Sequence, residues 1–237
     1  MKYKPVIGLE IHTELNTKTK MFCDSLNDPN ETSPNKNVCP ICMAYPGTLP
    51  VINMEAVRKV VKTGLALGAK INNYSWFERK NYFYPDLPKG YQISQFEKPF
   101  CEGGSLKLSN GKEVRITRVH LEEDTGRLIH EAQISNLKSQ ISKSFVDFNR
   151  AGVPLMELVT EPDIESGKDA KEFGEGLQSL FRYLGVSEAD MEKGQLRIEA
   201  NISIMPEGAE KFGTKVEVKN LNSFRACERA IDYEIAR

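Results

Sequence analysis

The sequence has little histidine, little tryptophan and almost no net charge. Its 237 residues include three histidines and one tryptophan, and 32 Lys and Arg residues oppose 33 Asp and Glu residues, for a formal net charge of -1. Three histidines are too few for a His-rich metal centre. The balanced charge excludes a strongly cationic nucleic-acid-binding protein, although it leaves room for a local RNA contact.

Long apolar runs and the signals of export are also missing. Apolar stretches such as residues 151–156 fall far short of the ~18 residues that a membrane-spanning helix needs. Residues 1–5 lead into a strand-like run and not into the apolar centre of a signal peptide. Five cysteines, an odd number, argue against a framework of disulfides. We therefore expect a soluble cytoplasmic protein with reduced thiols.

Several familiar catalytic motifs do not occur in the sequence. It has no glycine-rich phosphate loop ending in Lys-Ser or Lys-Thr, no dinucleotide-binding glycine motif and no His-Glu-x-x-His metal motif. It also has no Gly-x-Ser-x-Gly elbow that would present a serine nucleophile. Any chemistry must therefore come from another arrangement of side chains.

What the sequence does have is regular alternation. Residues 6–12 alternate apolar with polar side chains, which predicts a strand that points Glu10 and His12 to one face. The same pattern predicts further strands over residues 114–121, 144–150, 196–204 and 215–219. Capping residues and apolar spacing predict helices over residues 53–68, over residues 166–185 and from Ser223 onward. Together they indicate an α+β domain with a mostly antiparallel sheet, helices on one face and carboxylates on the other.

The polar face predicted for the sheet is rich in carboxylates. Its members are Glu10, His12, His120, Glu122, Glu123, Asp124, Glu199, Asn201 and Ser203. Hard oxygen ligands of this kind suit Mg²⁺, which bridges to the phosphates of a nucleotide. The plainer alternative is a solvated face, since antiparallel strands normally point their charges to water. Residues 122–124 weigh against it, because three adjacent carboxylates repel one another unless cations lie nearby.

Two predicted loops carry further candidate sites. In residues 21–50, Cys39 and Cys42 form a Cys-Pro-x-Cys knuckle with Cys23 upstream, as in half of a structural zinc site, which takes four ligands. Because Ser25 stands where a fourth cysteine would, the alternative is a set of reduced, partly buried thiols. Residues 81–100 are predicted to be a loop pinned by its own aromatic side chains. Residues 79–92 form either a packed Ω-loop or a lid whose lysine and aromatic side chains contact a base or phosphates.

Several segments together match one protein family. They are residues 6–12 (VIGLEIH), 79–95, 120–127 (HLEEDTGR), 146–155 (VDFNRAGVPL), 161–163 (EPD) and 218–224 (VKNLNSF). Through them essentially the whole chain resembles the B subunit of the aspartyl/glutamyl-tRNA amidotransferase. The family protein is about twice as long, and the resemblance covers its N-terminal catalytic cradle domain, here residues 1–237, without the C-terminal helical and tail domains that hold tRNA. A last helix that reaches Arg237 without a capping Gly or Pro agrees with a fragment.

The resemblance implies a carbon–nitrogen ligase that works in a heterotrimer. The side-chain carboxylate of Glu on tRNA(Gln), or of Asp on tRNA(Asn), would be phosphorylated by ATP with Mg²⁺, and ammonia would then displace phosphate. The amidase A subunit would release that ammonia from glutamine, and a small C subunit would tie the two together. The implied fold is similar to that of the glutamine synthetase and guanido kinase group. A carboxylate substrate is already anionic, so positioning and charge neutralisation would suffice without a general base.

The resemblance also implies roles for individual residues. Those implied to be catalytic are Glu10, His12, Glu122, Glu123 and Glu199, with Glu10, His12 and Glu123 as the Mg²⁺ ligands. Those implied to bind nucleotide or substrate are Arg79, Lys80, Tyr82, Tyr84, Lys89, Asn149, Arg150, Arg197, Asn201, Ser203, Lys219 and Asn220. We expect Glu10, His12 and one of Glu122 and Glu123 to converge on one divalent cation. Zinc at Cys23, Cys39 and Cys42 is the less expected cofactor, because other members of the family lack the cysteines.

The chain departs from the family pattern at a few positions. Glu199 stands where many members have Asp, and Met205 stands where they have a basic residue. These departures leave room for a non-catalytic subunit that binds tRNA and acts as a scaffold with a decayed metal site. A third hypothesis, an RNA-binding zinc module, is disfavoured by the near-neutral charge. No residue resembles an amidase nucleophile, so glutamine hydrolysis would need a second polypeptide.

Overall fold

Twelve strands and three helices make up the regular structure of residues 3–130 and 143–237, the part of the chain that the computed structural model describes. In chain order they are β1 (Tyr3–Glu14), α1 (Met54–Ala66), β2 (Lys70–Ile71), β3 (Glu78–Asn81), β4 (Tyr91–Ser94), β5 (Cys101–Glu102), β6 (Ser105–Lys107), β7 (Glu113–Glu123), β8 (Arg127–His130), β9 (Ser144–Asp147), β10 (Pro154–Thr160), α2 (Gly167–Leu184), β11 (Leu196–Pro206), β12 (Val216–Leu221) and α3 (Phe224–Ala236).

Most of these strands belong to one antiparallel sheet. Its strand order is β12-β11-β1-β10-β7-β5-β2, and β6 pairs with the first residues of β7. A separate hairpin joins β3 to β4, and β8 pairs with β9 in a second two-stranded ribbon. The predicted α+β class with a mostly antiparallel sheet is therefore confirmed. No helix within the described ranges has the length and apolar character needed to cross a membrane.

The three helices begin at the capping residues that the sequence predicts. The side chain of Asn53 accepts hydrogen bonds from the backbone amides of Glu55 and Ala56 at the start of α1. Ser166 and Ser223 cap α2 and α3 in the same way. At the end of α2, Gly185 adopts a left-handed conformation (φ 64°), which closes the helix and turns the chain towards β11.

The core lies between the helices and the sheet face that carries Ile7, Leu9 and Ile11. These three side chains are buried with apolar side chains of the helices, among them Phe173, Leu177, Phe181, Cys227 and Ile231. Gly174 lets α2 approach closely, since a Cβ there would lie 2.8 Å from Phe224 and 2.9 Å from Ile198. Glu10 and His12 have the opposite parity on β1, so their side chains point away from this core.

Three sequence predictions differ from the structure in ways that have physical causes. The central strand β10 is missing from the prediction, because it is buried on both faces and its residues do not alternate. The predicted loop over residues 81–100 contains β4 and the end of β3, so its aromatic segment is the tip of a hairpin. The strand predicted to reach Arg150 ends at Asp147, where a turn begins in which Ala151 donates a backbone hydrogen bond to Phe148.

Candidate active site

A row of polar side chains crosses four neighbouring strands on the face opposite the helices. Along it Arg197 of β11 pairs with His12 of β1, His12 pairs with Glu157 of β10, and Glu157 pairs with His120 of β7. In an antiparallel sheet, side chains of directly paired residues lie about 4.5–5.5 Å apart. The strand register alone therefore brings two histidines and a carboxylate from three distant parts of the sequence into contact.

Glu122 joins this row and completes a cluster that we call the His–Glu cluster, made of His12, His120, Glu122 and Glu157. Glu157 Oε2 lies 3.5 Å from His12 Nε2 and 3.2 Å from His120 Nε2. Glu122 Oε1 lies 3.7 Å from His12 Nε2, and its Oε2 accepts a hydrogen bond from Ser94 Oγ at 3.0 Å. His120 is 2 % exposed, and its Nδ1 has no hydrogen-bond partner among the described residues.

The two carboxyl groups of the His–Glu cluster have pKa values shifted in opposite directions. Burial opposes ionisation of Glu157, but hydrogen bonds from His12 and His120 outweigh it and lower its pKa. Burial and then the charge of Glu157 raise the pKa of Glu122 above its usual range. Burial also opposes a charged His12, yet the hydrogen bond and charge of Glu157 raise its pKa. The ionised carboxylate of Glu157 therefore lies beside two groups, His12 and Glu122, whose pKa values are raised.

Three members of the cluster can serve together as ligands of a metal ion. His12, Glu122 and Glu157 each offer a ligand atom, and these atoms lie within 4.8 Å of one another. The two carboxylates supply hard oxygen ligands of the kind that Mg²⁺ takes together with water and phosphate oxygens, and His12 adds one nitrogen ligand. The residues present therefore fit the Mg²⁺ that the family resemblance implies.

Glu10 lies in a second group next to the first, which we call the acidic triad. Its members are Glu10, Glu199 and Glu217, with ligand atoms that also lie within 4.8 Å of one another. Glu10 pairs directly with Glu199 across β1 and β11, and Asn201 Nδ2 donates a hydrogen bond of 2.9 Å to Glu10. The structure therefore brings His12 together with Glu122 and places Glu10 with Glu199.

Lys219 supplies the positive charge of the acidic triad. Its Nζ lies 2.8 Å from Glu199 and 3.1 Å from Glu217. A β-bulge sets this contact, because Ile198 pairs with Leu221 and Ala200 pairs with Val218, which leaves Lys219 and Asn220 opposite Glu199 alone. Asn220 has a positive φ of 60°, as the bulge requires.

Glu123 is held by the hairpin of β3 and β4. Lys89, at the end of the hairpin loop, donates to its carboxylate at 2.5 Å, and the backbone amide of Ile93 donates to the same carboxylate at 3.0 Å. Gln92 also donates to its backbone carbonyl. Its side chain has the opposite parity to Glu122 on β7, and the closely spaced ligand groups contain Glu122 and not Glu123. Lys89 is therefore a structural partner of Glu123 in this state.

Asp124, the third acidic residue of this run, is paired with two arginines. Arg197 donates to its Oδ2 at 2.8 Å, and Arg150 Nε lies 3.7 Å away and donates to the carbonyl of Thr125. Burial opposes ionisation, but the charges of Arg150 and Arg197 lower the pKa of Asp124 to about 2. Each of the three adjacent acidic residues thus has its own cationic or histidine partner, which explains how they tolerate one another.

The remaining predicted binding residues occupy three different environments. Arg79, Lys80 and Tyr84 are exposed on the β3–β4 hairpin, where the guanidinium of Arg79 stacks 5.0 Å over the ring of Tyr91. Tyr82 is half-buried, and burial followed by the charge of Asp86 raises its pKa to about 12. The side chain of Asn149 holds the cysteine-bearing loop, because it accepts a hydrogen bond from the backbone amide of Asn37 and donates one to the carbonyl of Ser33.

An apolar slot lies beside the acidic triad. Asn201 and Ser203 line a cavity of about 250 Å³ together with Val6, Gly8, Leu9, Val159, Pro162 and Phe212. The ring of Phe212 is 62 % exposed at this slot. Asn201 therefore connects the slot to Glu10, because its amide donates to that carboxylate.

The three cysteines of the loop are neighbours, as their spacing predicts. Cys42 Sγ lies 3.5 Å from Cys23 Sγ and 3.7 Å from Cys39 Sγ. The other polar atoms around Cys42 are Ser25 Oγ and Lys20 Nζ, each at 3.5 Å. A structural zinc takes four ligands. The three sulfurs lie within 4.8 Å of one another and could together hold a metal ion, but they supply only three of these four ligands, so zinc at this set stays a prediction.

The sequence of this region falls within a known family. The family model of the GatB/GatE catalytic domain matches residues 5–237. The chain belongs to this family. Relatives named as the B subunit of aspartyl/glutamyl-tRNA(Asn/Gln) amidotransferase are 55% identical over 240 residues in Thermotoga maritima, 52% over 240 in Persephonella marina and 51% over 245 in Gloeothece citriformis. The predicted membership is thus confirmed.

These relatives are longer than this member of the GatB/GatE catalytic-domain family. The three comparisons cover 100% of the chain but 49%, 48% and 49% of the respective relatives. The chain therefore spans about half the length of the curated relatives it matches. The name of these relatives describes one component of an amidotransferase that acts with tRNA, so they belong to assemblies with other subunits.

Sequence reasoning assigns no role to three residues that are central to the geometry of this GatB/GatE catalytic domain. The sequence does not single out Glu157, because β10 lacks the alternation that identifies a strand. A lone carboxylate in an otherwise apolar run is nevertheless a detectable sign of a functional residue. His120 and Asp124 are predicted to lie on the polar face, but without a role. Strand register identifies His120, because it pairs with Glu157.

Proposed function

We propose that this chain is the kinase part of a tRNA-dependent amidotransferase, with ATP and Mg²⁺ bound on the polar face of the sheet. The observation that carries the proposal is the close approach of ligand atoms from His12, Glu122 and Glu157 on three adjacent strands. The substrate would be the side-chain carboxylate of Glu on tRNA(Gln) or Asp on tRNA(Asn). Family membership supports this substrate class, since the relatives carry the corresponding name.

In this proposal His12, Glu122 and Glu157 would hold Mg²⁺, which when bound would neutralise the charge of the ATP phosphates. Arg79 and Lys80 are exposed on the neighbouring hairpin and offer donors to the same anion. Cations that contact a phosphoryl group stabilise the charge that develops during its transfer.

Arg197 is suited to hold the substrate carboxylate next to that phosphate. Its side chain is 31% exposed although it is paired with Asp124, so it has donors left for a second carboxylate. Since Asp124 is itself firmly ionised, the guanidinium is fixed in direction. The substrate carboxylate needs no base, and holding it close to the phosphate supplies the main catalytic effect.

The apolar slot beside the acidic triad is suited to the base of the nucleotide. It joins an exposed aromatic ring, Phe212, to the polar groups of Asn201 and Ser203. Bases stack on aromatic rings and are oriented by a few polar groups. The side chain of Asn201 contacts Glu10, which would lie between the base and the phosphates.

We infer that residues 1–237 form the catalytic cradle of a cytoplasmic heterotrimer, in which an amidase A subunit supplies ammonia from glutamine and a small C subunit joins them. The antiparallel sheet with a carboxylate-lined face supports similarity to the glutamine synthetase and guanido kinase group. The reaction would form a carbon–nitrogen bond with glutamine as amido donor.

One observation favours the second candidate, a subunit that binds tRNA without catalysis. Lys219 contacts both Glu199 and Glu217, so a side-chain cation already offsets part of the negative charge of the acidic triad. A site that carries its own cation has less need of a divalent ion. The His–Glu cluster, which contains no lysine or arginine, is the better argument for the kinase.

The deciding experiment measures Mg²⁺-dependent ATP hydrolysis in the complex reconstituted with the A and C subunits, with and without Glu-tRNA(Gln). The kinase proposal predicts hydrolysis that tRNA stimulates and that Glu157→Gln reduces on the order of 10²–10³-fold, as for loss of one stabilising electrostatic group. Glu161→Gln, just beyond β10 and bonded to Thr117, is the matched control and should change little. A complex in which Glu157→Gln leaves hydrolysis unchanged would support the scaffold.

A further inference from the structure

Arg118 of β7 is half-buried and has no ion pair with any of the described residues. Its side chain makes no hydrogen bond to them either, and its Nε is buried without a partner. Glu102 is its cross-strand neighbour on β5, but that carboxylate forms its ion pair with Lys70, at 4.0 Å. A buried donor without a partner costs free energy, and a bound ligand is one of the explanations for its presence in a folded protein.

The guanidinium of Arg118 is nevertheless fixed in place by an aromatic ring. Its Cζ lies 5.0 Å from the centre of the ring of Phe96, within the roughly 6 Å over which a cation is attracted to an aromatic face. The segment that carries this ring is anchored, because the backbone amide of Phe96 donates to Glu78 Oε2 at 2.8 Å. Stacking occupies a face of the guanidinium and leaves the N–H groups at its edge free to donate.

A β-bulge directs Arg118 to the polar face of the sheet. Val159 of β10 pairs with Arg118, but the next residue, Thr160, pairs with Ile116, so β7 has one extra residue at this point. Bulges of this kind change the direction of a side chain and occur often beside active sites. Beyond the bulge β7 is regular, so Arg118 shares a face with His120 of the His–Glu cluster.

The strand register places Arg118 between the two parts of the proposed nucleotide site. Val159, its partner on β10, lines the apolar slot that would hold the base. Two residues earlier on β10, Glu157 pairs with His120 in the His–Glu cluster. Neighbouring strands lie about 5 Å apart, and two residues span about 7 Å along a strand. A chain of phosphates that leads from the slot to the cluster therefore passes within reach of an arginine side chain at position 118.

We propose that Arg118 binds the phosphate oxygens of the nucleotide on the path from the apolar slot to the His–Glu cluster. This inference rests on the proposed nucleotide site and adds a residue to it. Arginine binds phosphate through charge-assisted and often bidentate hydrogen bonds, and the donors of Arg118 are free to make them. The phosphates would supply the anion that the described surroundings of Arg118 do not.

The test compares the binding of Mg-ATP, tripolyphosphate and adenosine by isothermal titration calorimetry in the complex reconstituted with the A and C subunits. In Arg118→Gln, affinity for ATP and for tripolyphosphate should fall about 10–100-fold, as expected when hydrogen bonds to a charged group are lost. Affinity for adenosine and the melting temperature should stay unchanged, because the base slot and the fold are intact. Arg118→Lys keeps the charge and should restore part of the loss.

Two further variants serve as controls. Arg115 lies on the same strand, but its side chain is 65% exposed and pairs with Asp163 at 2.7 Å, so Arg115→Gln should leave all three affinities unchanged. Phe96→Leu removes the ring but keeps the charge of Arg118. It should therefore weaken ATP binding less than Arg118→Gln does.

The outcomes separate this inference from the proposed function. An Arg118→Gln complex that binds ATP and tripolyphosphate as the unaltered complex does would overturn the inference and leave the kinase proposal standing. An unaltered complex that binds no ATP would overturn both. Weaker binding of Glu-tRNA(Gln) with unchanged affinity for ATP would refute the nucleotide contact in favour of an RNA phosphate. A loss of adenosine affinity as large as that of ATP would refute it in favour of a structural role.

Discussion

The change Glu157→Gln tests the geometry of the His–Glu cluster with almost no change in shape. The carboxylate of Glu157 lies within 3.5 Å of both His12 and His120 and is buried in the central strand β10. Glutamine keeps the size and one acceptor oxygen but removes the negative charge. Two properties should respond together, the affinity for a divalent cation and the pKa of His12.

The expected magnitudes follow from the distances. Two unit charges 4 Å apart interact by about 4 kcal/mol at an effective dielectric constant of 20, and the ligand atoms of the cluster lie within 4.8 Å of one another. Even half of this energy, about 2 kcal/mol, corresponds to roughly 30-fold weaker binding. Glu157 is also the main influence that raises the pKa of His12 against burial, so that pKa should fall in the variant.

Both quantities can be measured without any enzymatic activity. Titration with Mn²⁺, followed by electron paramagnetic resonance, reports cation affinity, and the ring proton signals of His12 report its pKa in the metal-free protein. Glu161→Gln makes the same chemical change just beyond β10, where Glu161 accepts from Thr117, and should leave both quantities unchanged. A folded Glu157→Gln protein with the original Mn²⁺ affinity and the original His12 pKa would refute the assignment.

Three other changes test separate parts of the structure. Burial raises the pKa of Glu14 to about 8, so between pH about 4.5 and 8 the folded state holds a proton that the unfolded state has lost. The free energy of unfolding therefore falls as pH rises through this range. Glu14→Gln should remove up to about 1.4 kcal/mol per pH unit of this dependence, as measured by denaturant titrations. Phe212→Ala should weaken binding of a fluorescent ATP analogue about tenfold, whereas Tyr233→Ala, exposed on α3, should not. Lys219→Met leaves the acidic triad without its cation, so Mn²⁺ should bind there more tightly, detectable as a second site.

The parts of the fold that the sequence predicts are those in which local physics decides the outcome. Strand β1 alternates because one of its faces is buried and the other is polar. Both ends of helix α2 can be predicted from the sequence, since Ser166 caps its start and Gly185 ends it. The Cys23, Cys39 and Cys42 sulfurs come together as expected, because Cys-Pro-x-Cys forms a tight turn and the connecting loop is long enough to fold back.

The parts that the sequence does not predict depend on which residues of distant strands become neighbours. Glu10 and His12 share a face of β1, yet Glu10 pairs with Glu199 on one side, whereas His12 pairs with Glu157 on the other. Parity puts residues on the same face but does not say which strand comes next in the sheet. The prediction that Glu10, His12 and a carboxylate of residues 122–123 meet at one ion is thus resolved into two adjacent groups, and the assignment of ligands stays a prediction for the binding experiments.

The register that builds the site is itself specified by polar contacts. Because β10 is apolar on both faces, a shift of one residue along β1 would cost little in hydrophobic burial alone. Two features oppose that shift. The buried backbone amide of Leu9 donates to Thr160 Oγ1 at 2.9 Å, and Glu157 would be left as an unpaired buried carboxylate if it did not face His12 and His120. An unpaired buried charge costs several kcal/mol, more than a few misplaced methylene groups. The carboxylate proposed to hold the metal ion therefore also fixes the alignment of the central strands, so its two roles cannot be separated by mutation unless the folded state is measured alongside the binding.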